Sequence, residues 1–332
     1  MSAPLRLGTR GSALARAQST HVADALRART GRPVELVEIA TTGDRTDRPV
    51  SELGVGVWVS ALREALLAKE IDFAVHSYKD LPSAPADGLV VAAVPPRQDP
   101  RDALVARDGL PLSALPPGAR IGTGAVRRIA QLHALGHQLD VRPIRGNVDT
   151  RLRKVADGEL DGVVLARAGL ARLGRAGEIT ESLDPMLMLP APAQGALAVE
   201  CRDGAVTDDD AALSELLRGL DDLDTRLCVA AERALLATLE AGCSMPIAAL
   251  AVLAEDEDGS LELYLRGAVI SPDGAQAIRL SRSATLPATD PEPAAADIGR
   301  DLAADLREAG ADDLLAPPRG GAGADDVAGR AR

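Results

Sequence analysis

The chain has 332 residues, too many for one small core, so two or three domains are expected. Its formal charge of −12 argues against nucleic acid or an anionic membrane as a general partner, since both attract a basic face. Only four aromatic residues occur (Trp58, Phe73, Tyr78 and Tyr264), so base stacking is disfavoured and cores must be built from Val, Leu, Ile and Ala.

No run approaches the ~18 apolar residues of a membrane span. The opening "MSAPLRLGTRGS" lacks the long apolar stretch of a secretory signal, and the chain reads as cytoplasmic with no membrane partner. Three cysteines, Cys201, Cys228 and Cys243, make an odd count without a CxxC pair. They suit a reducing compartment and argue against a disulfide framework or a cysteine zinc cluster.

From the start, apolar strands alternate with helical patterns: "LRLG" 5–8, a helix from Ser12 to Arg29, "VELVEIA" 34–40, a helix near 58–69, "IDFAVH" 71–76 and "GLVVAAV" 88–94. This is the βαβ texture of a mostly parallel sheet. After the break "PPRQDPRD" 95–102 the pattern restarts with "ALVA" 103–106, "RIGTG" 120–124, a helix 125–135, "LDVRPIR" 139–145, a helix 148–157, "DGVVLA" 161–166 and a helix 167–173, which predicts a second α/β unit. "PMLMLPAPAQGALAVECR" 185–202 reads as a crossing segment whose last strand can return to the first unit.

Residues 203–224 hold eight acids and one base and lead into a long amphipathic helix, 223–241. Beyond Gly242, 247–271 and 275–286 alternate like antiparallel strands before a helix near 291–309, which predicts a small α+β domain. The expected division is 1–96 with 196–218, then 101–190, then 219–316, with flexible hinges at 95–101 and 190–196. A disordered tail is expected over 317–332.

In parallel sheets ligands sit beyond the carboxyl ends of the strands. In the first unit those ends carry Thr9 to Ser12, Thr41 to Asp44, and "HSYKD" 76–80; in the second they carry Thr123, Arg127 and Arg128, then Arg145, Asn147 and Arg151, then Arg167 and Arg172. Residues 120–175 hold eleven basic against five acidic residues, a local excess of six within an acidic protein. Arginine grips carboxylate or phosphate bidentately, so an anion site is the natural reading of the group, although any one of these arginines is equally well a solvated helix charge.

The chain uses 34 Arg but three Lys, which draws attention to Lys79 beside Asp80; taken alone, the pair reads as a surface ion pair closing a turn before Pro82. Cys201 and Cys228 fall in strand and helix patterns and read as packing. Cys243 follows the helix-ending Gly242 in a loop and is either an attachment point or a partly buried structural thiol. His76 reads as a satisfied strand-end residue. His133 and His137 are i, i+4 partners without an acidic or cysteine companion, so no metal site is expected. Neither "GVGVW" nor "GTGAVR" completes a dinucleotide fingerprint.

Eight motifs, "TRGSALARAQ", "AVHSYKDLP", "DPRDALV", "GTGAVRR", "RGNVDTRL", "ARAGLARLG", "PAPAQGALAVECR" and "EAGCSMP", lie over residues 5–310 in the order and spacing of the porphobilinogen deaminases, also called hydroxymethylbilane synthases, and the chain resembles that family. The resemblance implies two domains like those of periplasmic binding proteins with a cleft between them, plus a small C-terminal α+β domain. It implies a monomeric cytoplasmic transferase of heme biosynthesis that joins four porphobilinogen molecules head to tail, releases ammonia at each step and frees the tetrapyrrole with water. It further implies a dipyrromethane primer in thioether linkage to Cys243, a growing polypyrrole chain in the cleft, and transient contact with uroporphyrinogen-III synthase. By motif position Asp80 is the catalytic carboxylate. Lys79, Arg127, Arg128, Thr123, Asp44 and Ser12 correspond to residues around the cofactor, and Arg10, Arg145, Arg151, Arg172 and Gln194 to residues around the substrate.

Two departures from the family pattern stand out. "SELGVGVWV" 51–59 lacks the lysines common in the family's loop over the cleft and offers Trp58 near its Phe position, and Gly124 and Ala125 replace hydroxyls that follow Gly-Thr. The competing readings are a two-lobed binding protein without catalysis and an anion-sensing regulator. Cys243 and the third domain count against the first, and the lack of a basic helix-turn-helix against the second.

Overall fold

The computed structural model describes residues 3–40, 59–205, 207–239, 245–257 and 259–315. In chain order the first strands and helices are β1 (Leu5–Thr9), α1 (Ala13–Thr30), β2 (Val34–Glu38), α2 (Ser60–Leu67), β3 (Phe73–Ser77) and β4 (Leu89–Ala93). They are followed by β5 (Asp102–Ala106), β6 (Arg120–Thr123), α3 (Val126–Ala134), β7 (Asp140–Pro143), α4 (Val148–Ala156), β8 (Gly162–Ala166), α5 (Arg167–Arg172) and β9 (Glu181–Ser182). The last part holds β10 (Leu197–Arg202), α6 (Asp208–Arg218), α7 (Leu223–Thr238), β11 (Ile247–Glu255), β12 (Leu261–Ile270), β13 (Ala277–Leu286), α8 (Pro291–Glu308) and α9 (Ala311–Leu315).

Two five-stranded sheets, in the orders β2-β1-β3-β10-β4 and β7-β6-β8-β5-β9, form two α/β lobes. Mainly apolar strands such as "FAVHS" and "DALVA" are buried on both faces, as crossover helices require. Local chemistry sets the helix ends: Ser12 Oγ accepts from Ala15 N at α1, Asn147 Oδ1 from Thr150 N at α4, and Gly31, at φ 67°, closes α1 in the left-handed region.

The register of two strands brings the hinges to the functional rim. β10 enters antiparallel beside β3 with Leu197 opposite Ser77, so the segment before it arrives at the carboxyl end of β3. β5 likewise runs antiparallel to β8, and its first residue, Asp102, lies opposite Ala166 at the carboxyl end of β8. Both crossings between lobes therefore pass the rims where ligand-binding loops gather.

The third domain is a β11-β12-β13 meander with α7 and α8 on one face, its core including Leu227, Leu235, Leu263, Leu265, Leu302 and Leu306. Gly299 lets the helices close: a Cβ there would stand 2.1 Å from Ala231 O. The other face of the meander, through Ala248, Leu250, Ala268 and Ile270, packs on Ala130 and Leu189 of the second lobe.

Helix α6 was not anticipated, because its acids obscure its apolar stripe. Thr207 Oγ1 caps it by accepting from Asp210 N at 3.2 Å, Asp208 to Asp210 occupy the first turn where the helix dipole favours anions, and Leu213 and Leu217 enter the first lobe's core. Among the described residues no helix is long and apolar enough to cross a membrane, and no cluster of three or more His, Cys, Asp and Glu is placed to hold a metal ion.

Candidate active site between the two lobes

β3 ends in a single 3-10 turn, Tyr78–Asp80, closed by Leu81 N donating to Tyr78 O at 3.2 Å and tied to the hinge by Tyr78 N donating to Ala196 O at 3.1 Å. Lys79 and Asp80 leave this turn on neighbouring cavities. Asp80 shares one with Arg10, Gln18, His76 and Ser77, while Lys79 shares the other with Gln18, Ser77, Ala166, Arg172 and Gly195. Gln18 Nε2 donates to Ser77 Oγ at 2.8 Å in the wall common to both. His76 is satisfied, its Nε2 lying 3.1 Å from the buried Glu200, which also binds Arg63.

Lys79 Nζ donates to Gln194 Oε1 at 3.2 Å. Burial first, then the nearby Arg128 and Arg127, push its ammonium down to about 8, against the opposing pull of Asp80 and Asp102. Gln194 is itself fully buried; its Nε2 donates to Pro100 O at 2.7 Å and Asp102 Oδ1 at 2.8 Å, and its Oε1 also accepts from Arg128 at 3.2 Å.

Asp102 is the hub of this network. Its carboxylate, 0% exposed, meets Arg127 Nη2 at 2.7 Å and Arg128 Nη2 at 2.8 Å. Burial alone would raise its pKa, but Arg127, Arg128 and Gln194 together hold it down to about 2. The structure therefore turns much of Arg127 and Arg128 toward the protein, and Arg127 is also engaged by Leu189 O at 2.5 Å. Arg127 and Arg128 thus share an internal tie to Asp102.

The hinge turn 193–196 is held in a strained form. Ala193 has φ 60° and is pinned by its N–H donating to Glu232 Oε2 at 2.6 Å. Gly195, at φ 91°, cannot carry a side chain, since a Cβ would stand 2.3 Å from Gln98 O. Arg172 Nη2 donates to Gly195 O at 2.6 Å, and Arg97 donates to Gln194 O at 2.8 Å and to both oxygens of the fully buried Glu232, at 2.7 and 3.0 Å.

On the rim of the second lobe, cations face one another. Burial, then Arg128 and Arg145, push the Arg151 guanidinium down to about 10, and burial does the same to Arg172. Arg151 Nε donates to Gly146 O at 2.9 Å; Arg145 Nη1 and Thr123 Oγ1 are buried with no hydrogen-bond partner. Orphaned donors beside mutually repelling cations are costly unless an anion completes them, so the residues present fit a ligand carrying several carboxylates. Of the remaining expected residues, Ser12 caps α1 and Arg10 lines the Asp80 cavity, whereas Asp44, Cys243 and the loop up to Trp58 lie outside the described residues.

Asp102, Arg97 and Glu232 were not singled out from sequence. A signal did exist for two of them: Asp102 opens an otherwise apolar strand, and Glu232 is a lone acid on the buried stripe of α7.

Fold and site together define a two-lobed α/β protein with a cationic cleft at its hinge. The family model described as "Porphobilinogen deaminase, dipyromethane cofactor binding domain" matches residues 5–210, and "Porphobilinogen deaminase, C-terminal domain" matches 226–308. The chain is 58% identical to a porphobilinogen deaminase of Nocardia farcinica over 316 residues, covering 94% of this chain and 88% of that one. It is 55% identical to that of Mycobacterium tuberculosis over 315 residues, covering 94% and 98%. Among solved structures it is similar to the methionine-binding protein MetQ at 12% identity and TM-score 0.40, covering 64% and 89%. A periplasmic substrate-binding protein of an ABC transporter from Coxiella burnetii gives 13% identity and TM-score 0.42, covering 67% and 93%. The chain belongs to the porphobilinogen deaminase family.

Proposed function

We propose that Asp80 is the carboxylate at which this transferase joins four porphobilinogen molecules into hydroxymethylbilane, and that Lys79, Arg128, Arg145, Arg151 and Arg172 hold the acetate and propionate groups. The observation that carries this reading is the placement of Asp80 and Lys79 on one hinge-tethered turn, against cavities that also hold Arg10 and Arg172. The dipyrromethane cofactor, when bound, supplies the pyrrole carbon that receives the first unit. As porphobilinogen loses ammonia, the carbon–nitrogen bond's electrons leave with nitrogen and positive charge spreads onto the pyrrole ring and its N–H. A fixed carboxylate within hydrogen-bond reach stabilises that charge as it develops, and it accepts the proton released once the new carbon–carbon bond has formed. Lys79 and the arginines orient both rings through their carboxylates, so that binding energy is used for alignment. Incubation with porphobilinogen followed by pigment analysis tests the activity, and unchanged substrate would oppose it.

Cys243 is the proposed attachment point. Burial pushes the thiols of Cys201 and Cys228 up to about 11 and 12, which leaves them poor sources of thiolate. Cys243→Ser is expected to purify at the bare sequence mass, whereas wild type carries an addition of two pyrrole units. An addition that persists in the variant would move the attachment to another cysteine.

Lys79 gives the reaction a pH dependence. Its charge is present below about 8 and is lost as pH rises through that value. KM for porphobilinogen is expected to rise above pH 8, by up to about tenfold per unit, and to flatten in Lys79→Arg, whose guanidinium stays charged. Equal slopes in the two proteins would remove Lys79 from carboxylate binding. A cytoplasmic monomer in transient contact with uroporphyrinogen-III synthase completes the proposal, supported by the acidic composition and by the release of a reactive linear product.

A further inference from the structure

Helix α7 reaches the reacting turn directly. The Arg233 guanidinium stacks on Tyr78, its Cζ 4.5 Å from the ring centroid. Its Nη1 donates to Leu81 O at 3.0 Å and to Tyr78 O at 3.4 Å, and its Nη2 donates to Pro82 O at 2.6 Å. A three-residue 3-10 turn has a single internal hydrogen bond of its own, so its shape must be imposed by its surroundings. Ala196 O holds its entrance, and Arg233 gathers three carbonyls at its exit.

The preceding residue on the same helix, Glu232, holds the hinge through Arg97 and Ala193 N, and accepts from Ala251 N of β11 within its own domain. Consecutive residues of α7 thus grip the hinge turn bearing Gln194 and the turn bearing Asp80, and α7 leads in sequence to Cys243 five positions beyond its last residue. A lysine could not replace this fork, because a point charge on a flexible stem does not present a planar array to several carbonyls while stacking on a ring.

We infer that Arg233 is a positioning residue: it holds the turn that carries the Asp80 carboxylate in place beside the hinge segment without touching the reacting atoms. This rests on the reading of Asp80 as the catalytic residue. The test uses the full chain as Arg233→Lys, Asp80→Asn and the double variant, each weighed by intact mass for the primer and followed by hydrogen exchange.

Arg233→Lys is expected to keep its primer, to exchange faster in the peptide spanning 78–82, and to lose turnover by about 100-fold with KM little changed, as a displaced catalytic group implies. In the double variant the losses should not multiply, because Asp80→Asn has already removed the group that Arg233 positions. Unchanged exchange over 78–82, turnover within about twofold of wild type, or multiplied losses would each overturn the inference. Should Arg233→Lys fail to fold, Tyr78→Leu removes the stack alone and is expected to speed exchange over 78–82 and slow turnover to a lesser degree; wild-type behaviour there counts against it. Normal turnover in Asp80→Asn would remove the underlying reading, an outcome the single variant reports by itself.

Discussion

Asp80→Asn is expected to fold, to carry its primer by intact mass, and to turn over porphobilinogen about 10³-fold more slowly than wild type. The turn around residue 80 is held by backbone groups: Tyr78 N to Ala196 O, Leu81 N to Tyr78 O, and the carbonyls of Tyr78, Leu81 and Pro82 to Arg233. None of these involves the Asp80 side chain, and an amide fills the same space. What the amide lacks is the negative charge that meets the cationic ring and the basicity that takes up its proton. Single-turnover mixing separates this loss from weaker binding. A rate within tenfold of wild type, with the primer present, would show that the charge is met by another group.

The sequence made some parts of this molecule readable because their causes are local. The helix read from Ser12 to Arg29 is α1, which Ser12 caps, and the strands read at "IDFAVH" 71–76 and "ALVA" 103–106 are β3 and β5. The motif around "HSYKD" placed Lys79 and Asp80 at a strand end, where the structure has them. Asp102 was illegible for a physical reason. It stands at the start of its strand, and a strand's first residue reaches the ligand-binding rim only when the strand runs against its neighbours, a matter of sheet register between β5 and β8. Glu232 was hidden in the same way, since its partners Arg97 and Ala193 come from outside its own domain. Arg127 and Arg128 are consecutive on a helix, where side chains ordinarily diverge by about 100°. The buried Asp102 between them accounts for their convergence.

That convergence makes the loss of Asp102 costly to stability. Asp102→Ala leaves the guanidinium groups of Arg127 and Arg128, buried at 4% and 5% exposure, without their carboxylate. Removing one partner of a buried ion pair costs about 3–5 kcal/mol, because the remaining charge is stranded in low dielectric. A lowered urea midpoint checks this, and a wild-type midpoint at pH 7 would contradict it. The pH dependence has a definite sign. The Asp102 carboxyl is held at about 2 in the folded protein, against about 3.9 in an unfolded chain, so its contribution is complete above pH 4 and is lost as pH falls toward 2. The stability gap between wild type and Asp102→Asn should therefore narrow across that window, and buried charges leave it little altered by salt. Activity should fall as well, since Asp102 also fixes Gln194, the acceptor for Lys79. A variant that lost stability but bound porphobilinogen normally would separate the hinge's structural tie from the positioning of Lys79.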